Sequence, residues 1–567
     1  MKYYISLFIV FCIYSCKSPE SADIIIENGT VITVNESFSR EEAVAIKNGK
    51  IIYVGNNNEV DKYKNNETRV INAEELTVLP GLIDAHAHLI SLGDELINLD
   101  VTGCMSYNEM INRVAERVKE YDPGEWIIGG RWDDTKWGSD DFPVHHALSE
   151  VTPDNPVYLK RVDGNSALVN NKALELAGID NNTPDPEGGM IYRLPDGKPS
   201  GVLINQAMNL VKELFDRETY NQLETKLGLA IDQCLKYGLT GVHEAGVGPR
   251  EIAVFRRMAD SGNLGIRINA MLGEQDRPQF QADDLSEYFR ENRIESYADN
   301  MLCVKTIKLF FDGALGSRGA AFFEPYNDDP GNTGLLRIPT EYITEVALAA
   351  LQNNMSVATH CIGIRGNSYC LDAYEEALNQ YPDKDHRFRI EHAQILREED
   401  IERFARNNII PSMQPTHCTS DKGMITDRIG KERSQFAYAW RSFLDLGLPL
   451  PAGSDFPVES VNPLLGIFAA ITRRLPGEPD SLSWNPEQKM NIEEAIRSFT
   501  VDAAYASFQE DIIGSIEVGK YADFTILDKD ITLISPGELL NTRVIYTIVG
   551  GEIKYNLKQH PSLPGDR

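Results

Sequence analysis

The chain has 567 residues, 42% hydrophobic and 25% charged, a globular composition on a length that suits a large barrel or several domains rather than one ordinary core. Lys and Arg number 55 against 85 Asp and Glu, and the resulting net charge of −30, with no basic run to offset it, excludes nucleic acid and anionic lipid surfaces as partners. Eight cysteines and no Cys-x-x-Cys pair exclude a disulfide framework.

The chain opens with MKYYISLFIVFCIYSC, one lysine and a short apolar run. The run is too short to span a bilayer comfortably and reads as a signal-peptide core over residues 1–16. A small residue before Cys16 and the polar KSPESAD after it resemble a bacterial lipoprotein signal, with Cys16 as the lipidated residue. Cleaved soluble export is the second reading. Both put the protein in the bacterial cell envelope, periplasmic or at the surface, touching membrane only through a lipid anchor.

Residues 22–78 follow as short β-prone runs, with Asn28-Gly29 and Asn48-Gly49 as turn signals between them. Residues 510–557 have the same texture, in GSIEVGKYADFTILD and RVIYTIVGGEIKY. The two ends together predict one small composite β-sandwich domain.

Between them, residues 79–509 alternate strand-like apolar runs with longer amphipathic stretches, the pattern of repeated βα units. Eight runs read as strands: PGLIDAHAHL, GLTGVHEAG, LGIRINAML, VKTIKLFFDG, MSVATHCIG, RFRIEHAQI, NIIPSMQPTH and LPLPAGSDFP. Eight parallel strands predict a (β/α)8 barrel with its active site at the C-terminal strand ends. After the first strand, about residues 104–205 are too long for a loop and read as an inserted subdomain that roofs the site.

The polar residues then fall into register with those strand ends. His86 and His88, at i and i+2, share one face of the first strand. Lys308 lies in the fourth, His360 ends the fifth, His392 the sixth and Asp455 the eighth. An imidazole or charge in an apolar run is costly without a partner. Any one of these residues could be a satisfied core group, but a chain with ten histidines placing four this way points to a metal site.

GLIDAHAH, KLFFDGALGSRGA, ATHCIG, RIEHAQ, SMQPTH and AGSDFPVES, in that order, resemble the amidohydrolase superfamily, specifically its amidohydrolase-3 or YtcJ-like group. The resemblance spans residues 22–556 and implies hydrolysis of non-peptide C–N bonds in a small-molecule substrate. It implies that His86, His88 and Asp455 hold one metal and His360 and His392 another, with Lys308 bridging as a carbamate. A bare ammonium cannot ligate a dication, whereas a carboxylated lysine supplies two anionic oxygens; the competing reading pairs Lys308 with Asp312. Imidazole and oxygen ligands suit Zn²⁺, two ions being expected, with Mn²⁺ or Fe²⁺ as alternatives. Relatives commonly have histidine where this chain has Asn165.

The implied mechanism is attack of metal-activated water on the carbonyl, with Asp455 carrying the proton to the leaving nitrogen. His243 and His417, expected to end the second and seventh strands, and Gln414 are candidates for orienting substrate. Arg318 is a candidate for an anionic substrate group, and Arg131 and Trp132 for lid contacts. Each of these has an equal structural reading. Lactone or ester hydrolysis on the same barrel and a non-catalytic envelope binding protein are the competing functions, and a homodimer is an allowed assembly.

Overall fold

The computed structural model describes residues 20–138, 142–162, 164–215, 218–273, 280 and 284–559. Cys16 and the rest of the signal segment lie outside the described residues, as does Asp163. No helix of the described residues is long and apolar enough to cross a membrane.

Seven parallel strands form a nearly closed barrel: β1 (Leu82–Ala87), β2 (Leu239–Val247), β3 (Arg267–Leu272), β4 (Leu302–Phe310), β5 (Ser356–Cys361), β6 (Arg389–His392) and β7 (Ile410–Ser412). They pair in chain order, as successive βα units do. All nine residues of β2 are buried, because a parallel strand is covered on both faces. The helices outside are amphipathic. In α2 (Tyr220–Lys236), for example, Leu223, Leu227, Ile231 and Cys234 face the core at helical spacing. Thr219 and Gln222 cap its start reciprocally, and Gly238, at a φ of +86° that favours glycine, follows its end.

The eighth position differs from the expected strand. Pro449, Pro451 and Pro457 lack ladder N–H groups, so 448–457 contributes two isolated parallel bridges, Met413 to Ala452 and Ala87 to Phe456, and no extended strand. Ala85 N–H donates to Ala452 O, and Asp455 N–H to His86 O, which brings the ends of the barrel together. Gly453 makes that approach possible: a Cβ there would lie 2.4 Å from His86 N and 2.6 Å from Asp84 Oδ1.

Two further sheets draw strands from the chain's N-terminal part, one of them also from its C-terminal end. One runs Lys50–Gly55, Ala43–Lys47, Ile24–Glu27, Arg69–Asn72. The other runs Glu552–Asn556, Val544–Val549, Phe524–Leu527, Thr77–Pro80, Thr30–Ile32, Arg40–Glu41. Ile26, Val44 and Ile71 of the first share one apolar cluster with Val31, Phe524 and Ile548 of the second. The buried pair of Arg267 on β3 with Asp523, at 2.6 and 3.0 Å, ties the second sheet to the barrel.

After β1, helix α1 (Leu89–Ile97) leads into a six-stranded sheet built from Leu99–Asp100, Ile127–Trp132, Val157–Arg161, Ser166–Val169, Pro199–Asn205 and Gly189–Arg193. It has its own apolar clusters, one around Trp132, Leu159 and Val202 and another around Tyr158, Ala173 and Leu203.

Candidate metal centre

Every residue of β1 is buried, so His86 enters the barrel interior. Its Nδ1 lies 2.5 Å from Glu391 Oε2. Glu391 in turn accepts from Arg389 Nε at 2.6 Å and from Ser412 Oγ at 2.9 Å, all within the barrel. Burial alone would raise the Glu391 carboxyl, but Arg389, His86 and Lys308 hold it well below the usual range. An ionised carboxylate on Nδ1–H fixes the tautomer of His86 and leaves Nε2 as a lone pair.

That lone pair faces the other candidate ligands. His86 Nε2 is 3.5 Å and His88 Nε2 3.0 Å from Asp455 Oδ1. The His392 ring is 5.0 Å from that of His86 and 4.5 Å from that of His360. One ligand atom each from His86, His392 and Asp455 can be chosen so that all lie within 4.8 Å of one another. Lys308 Nζ lies 3.5 Å from His86 Nε2 and 4.8 Å from the centre of the Phe310 ring. The structure therefore gathers all six residues that the resemblance assigns to metal.

The competing ion pair of Lys308 with Asp312 is not among the described contacts. Asp312 accepts from the backbone N–H groups of Ala321, Ile362 and Gly363 and lies 3.6 Å from His360 Nε2.

Electrostatics prepare the cluster for a cation. Burial, reinforced by Lys308, pushes His86 down to about 4 and His360 to about 3. Burial and the neighbouring His360 and His86 hold His392 well below the usual range. These imidazoles are neutral near pH 7 and present lone pairs. Burial brings Lys308 down to about 8, against the pull of Glu391 and Asp455. Burial would also raise Asp455, but His86, His88 and His392 keep it ionised. His360 Nε2 and His392 Nδ1 are buried with no hydrogen-bond partner. Buried polar atoms are normally satisfied, and a set of neutral nitrogens beside a carboxylate fits a divalent metal. His392 and Asp455 also sit at φ of +73° and +61°, conformations that non-glycine residues adopt at a cost repaid by surrounding structure, as at functional sites.

The lesser candidates are placed differently. His243 lies in the middle of β2 and not at its end, where its Nδ1 accepts from Arg389 Nη1 at 2.8 Å, a structural bond. His417 lies on helix α3 (Pro415–Asp421), beyond the short β7, because Pro415 starts a helix there. Its Nε2 is 3.7 Å from Asp455 Oδ2, its ring stacks 5.8 Å from that of His392, and Nε2 is buried without a partner. Gln414 Nε2, just before α3, is also buried and unbonded. Arg318 is already paired with Asp328, at 3.2 and 3.0 Å. Trp132 is core rather than lid: it is buried in the inserted sheet with Nε1 donating to Leu159 O. Arg131 beside it is exposed on a β-bulge at a φ of +68°.

Three supporting residues escaped the sequence reading. Arg389 and Glu391 were legible in principle, since two charges at i and i+2 in an apolar strand share a face and imply a buried pair. Glu244 accepts from Leu89 N–H beside His88, and burial pushes it up to about 7. Nothing in the local sequence marks it.

A family model described as "Amidohydrolase family" matches residues 69–555. The chain is 34% identical to Protein LONG AFTER FAR-RED 3 of Arabidopsis thaliana over 94% of its length and 92% of that protein. It is 32% identical to the putative amidohydrolase YtcJ of Bacillus subtilis (93% and 98% covered) and 27% identical to the N-substituted formamide deformylase of Arthrobacter pascens (94% and 98%). Among solved structures, an uncharacterized metal-dependent hydrolase of Pyrococcus horikoshii matches with a TM-score of 0.76 at 25% identity, over 91% of this chain and 99% of that one.

Proposed function

The chain belongs to the amidohydrolase family of metal-dependent hydrolases, and we propose that it cleaves a non-peptide C–N bond, the amide of a small molecule, at the mouth of its barrel. The observation that carries this is the convergence of His86 and His392, held neutral by burial, with an ionised Asp455, their ligand atoms within 4.8 Å of one another. The name of the Arthrobacter relative, a deformylase of N-substituted formamides, supports an amide over other bonds.

His86, His88 and Asp455 would hold one Zn²⁺ and His360 and His392 a second, with Lys308 carboxylated between them. A bound dication supplies acidification of water and polarisation of the carbonyl. The residues of the chain do the rest. Glu391 keeps His86 in the ligating tautomer. Asp455 divides its labour: Oδ1 faces His86 and His88, while Oδ2 faces His417 and is the oxygen to take a proton from water and return it to the leaving nitrogen. Protonation matters because an amine leaves poorly as an anion. His417 Nε2 stands 3.7 Å from Asp455 Oδ2, and it and the buried, unbonded Gln414 Nε2 are the groups that orient the substrate carbonyl.

The two terminal sheets we read as the layers of a composite β sandwich, and residues 104–205 as the subdomain inserted over the site. The chain is exported and anchored through Cys16. The test of function is metal analysis of purified protein joined to a panel of amides and matched esters. Amide turnover that follows metal content is expected; ester turnover alone, or none with metal bound, contradicts the reading.

A further inference from the structure

The six-stranded sheet that follows α1 has two unlike faces. Ile127, Leu159 and Val202 look to one side, where Met110, Ile111 and Val114 of the helix Tyr107–Arg117 pack on them. Their chain neighbours Trp126, Ile128 and Tyr158 look to the other, as alternation requires, and Ile128 pairs with Tyr158 across two parallel strands. Part of this second face packs on Ala173 and Leu174, and the rest opens on a cavity of about 1280 Å³. The opposite wall comes from α1 and α2, where Lys226 pairs with both Asp94 and Glu218 and so ties the two helices together. None of the six residues of the metal cluster lines this cavity.

Trp126 and Tyr158 both pack on Phe215, with ring centres 4.9 and 5.1 Å from its own, which makes a continuous aromatic wall. Trp126 and Phe215 are only half-buried. The Trp126 indole N–H has no hydrogen-bond partner among the described residues, whereas those of Trp132 and Trp137 donate to Leu159 O and Cys104 O at 2.7 and 3.0 Å. Where the chain leaves the sheet, Asn205, Gln206 and Asn209 line the same cavity. Asn205 turns it there at a φ of +49° and a ψ of −124°, a costly conformation for a residue with a side chain. Asn209 Nδ2 donates to Gln206 Oε1 at 2.7 Å, which orients both amides and leaves the Gln206 NH₂ and the Asn209 carbonyl oxygen for a ligand.

The charges around the cavity balance, with Asp94, Glu125 and Glu218 against Lys160, Lys212 and Lys226. On a chain of net charge −30 such local neutrality gives no hold on an anion, and the lysines oppose a cation. The lining instead suits a neutral ligand with apolar faces for the rings and groups that both donate and accept for the amides. A pyranose has both, in its C–H faces and its hydroxyls. The volume exceeds the roughly 300–1,000 Å³ of most small-molecule pockets, so it admits more than one sugar ring.

We propose that this cavity binds a neutral oligosaccharide, stacked on Trp126 and Phe215 and held through its hydroxyls by the Trp126 indole N–H, Gln206 and Asn209. The site is separate from the hydrolytic centre and stands whichever bond that centre cleaves.

The experiment titrates the full-length protein, metal-free and Zn²⁺-loaded, with maltotetraose, cellotetraose and tetra-N-acetylchitotetraose and with the disaccharide of each. Binding is read by calorimetry and by tryptophan fluorescence. At least one tetrasaccharide should bind saturably, more tightly than its disaccharide, and equally well with and without metal. Trp126→Ala should weaken that binding about tenfold or more, and Trp126→Phe should keep part of the affinity while losing the fluorescence response. Gln206→Ala and Asn209→Ala alter exposed side chains, so they test the site without disturbing the packing of the sheet, and each should weaken binding severalfold. Choline and inorganic phosphate, as cationic and anionic probes, should not displace the sugar. Failure of every saccharide to bind, displacement by either ion, binding that requires metal, or affinity unchanged in Trp126→Ala and in both amide variants would overturn the proposal.

Discussion

Replacing Glu391 with glutamine tests how the candidate metal centre is held. Three donors converge on this carboxylate: Arg389 Nε on Oε1, and His86 Nδ1 and Ser412 Oγ on Oε2. A carboxamide has only one accepting oxygen. If it faces His86, its NH₂ confronts the Arg389 Nε–H, and a buried guanidinium loses its counter-charge. If it is turned around, the NH₂ meets His86 Nδ1, the ring changes tautomer, and Nε2 carries a proton where a ligand lone pair is required. Losing such an outer partner typically costs about 10–100-fold in metal affinity. Stripping the partner from a buried ion pair costs roughly 3–5 kcal/mol of stability, less where the amide still accepts one bond. The assay is a competitive chelator titration of Zn²⁺ on Glu391→Gln and wild type, with thermal unfolding of both metal-free proteins. Weaker metal binding and a lower Tm are expected together. Unchanged zinc affinity in a folded variant would refute the claim that Glu391 sets the His86 tautomer.

Lys308→Ala should lose metal and activity together, with partial recovery of both in acetate or propionate. In metal-free wild type, carbon-13 NMR at fixed dissolved CO₂ should show a Lys308 carbamate that disappears as pH falls through about 8, since only the neutral amine reacts and burial lowers its pKa to that value. A carbamate that appears only above pH 10 would contradict this. Asp455→Asn should lose most turnover while keeping the fold by circular dichroism; near-normal turnover would remove Asp455 from proton transfer. Gly453→Ala should cost about 1–3 kcal/mol of stability by pushing a Cβ against His86 N and Asp84, and an unchanged Tm would argue against that tight closure. Cys16→Ala should move the protein from membrane to soluble fractions, and persistent membrane attachment would exclude the lipid anchor.

The parallel barrel was legible because its strands are buried on both faces and therefore read as apolar runs with turns between them. The exceptions have local causes. Prolines on both sides of Ala452–Phe456 reduce the eighth run to bridges, and Pro415 converts the end of the seventh into a helix, moving His417 off the strand. His86 and His88 were readable from their spacing. His392 follows Glu391 directly, and strict alternation would point it away from the barrel interior; its left-handed backbone, at a φ of +73°, breaks that alternation, which no sequence pattern announces. Trp132 misled because an aromatic beside an arginine in an insertion reads equally well as lid or as core, and only the sheet around it decides. Arg318 misled because its partner Asp328 is ten residues away across a loop whose shape the sequence does not specify.

The central claim, that His86, His88, His360, His392, Lys308 and Asp455 form one metal-dependent hydrolytic centre, is tested most directly by stripping the purified protein of metal and titrating Zn²⁺ back while following hydrolysis of an N-formyl amide. The account predicts no turnover without metal and a rise that saturates at the stoichiometry bound by the cluster, lost in the His86→Ala, His392→Ala double variant. Full turnover in the metal-free protein, or metal-dependent turnover that survives in that variant, would contradict it.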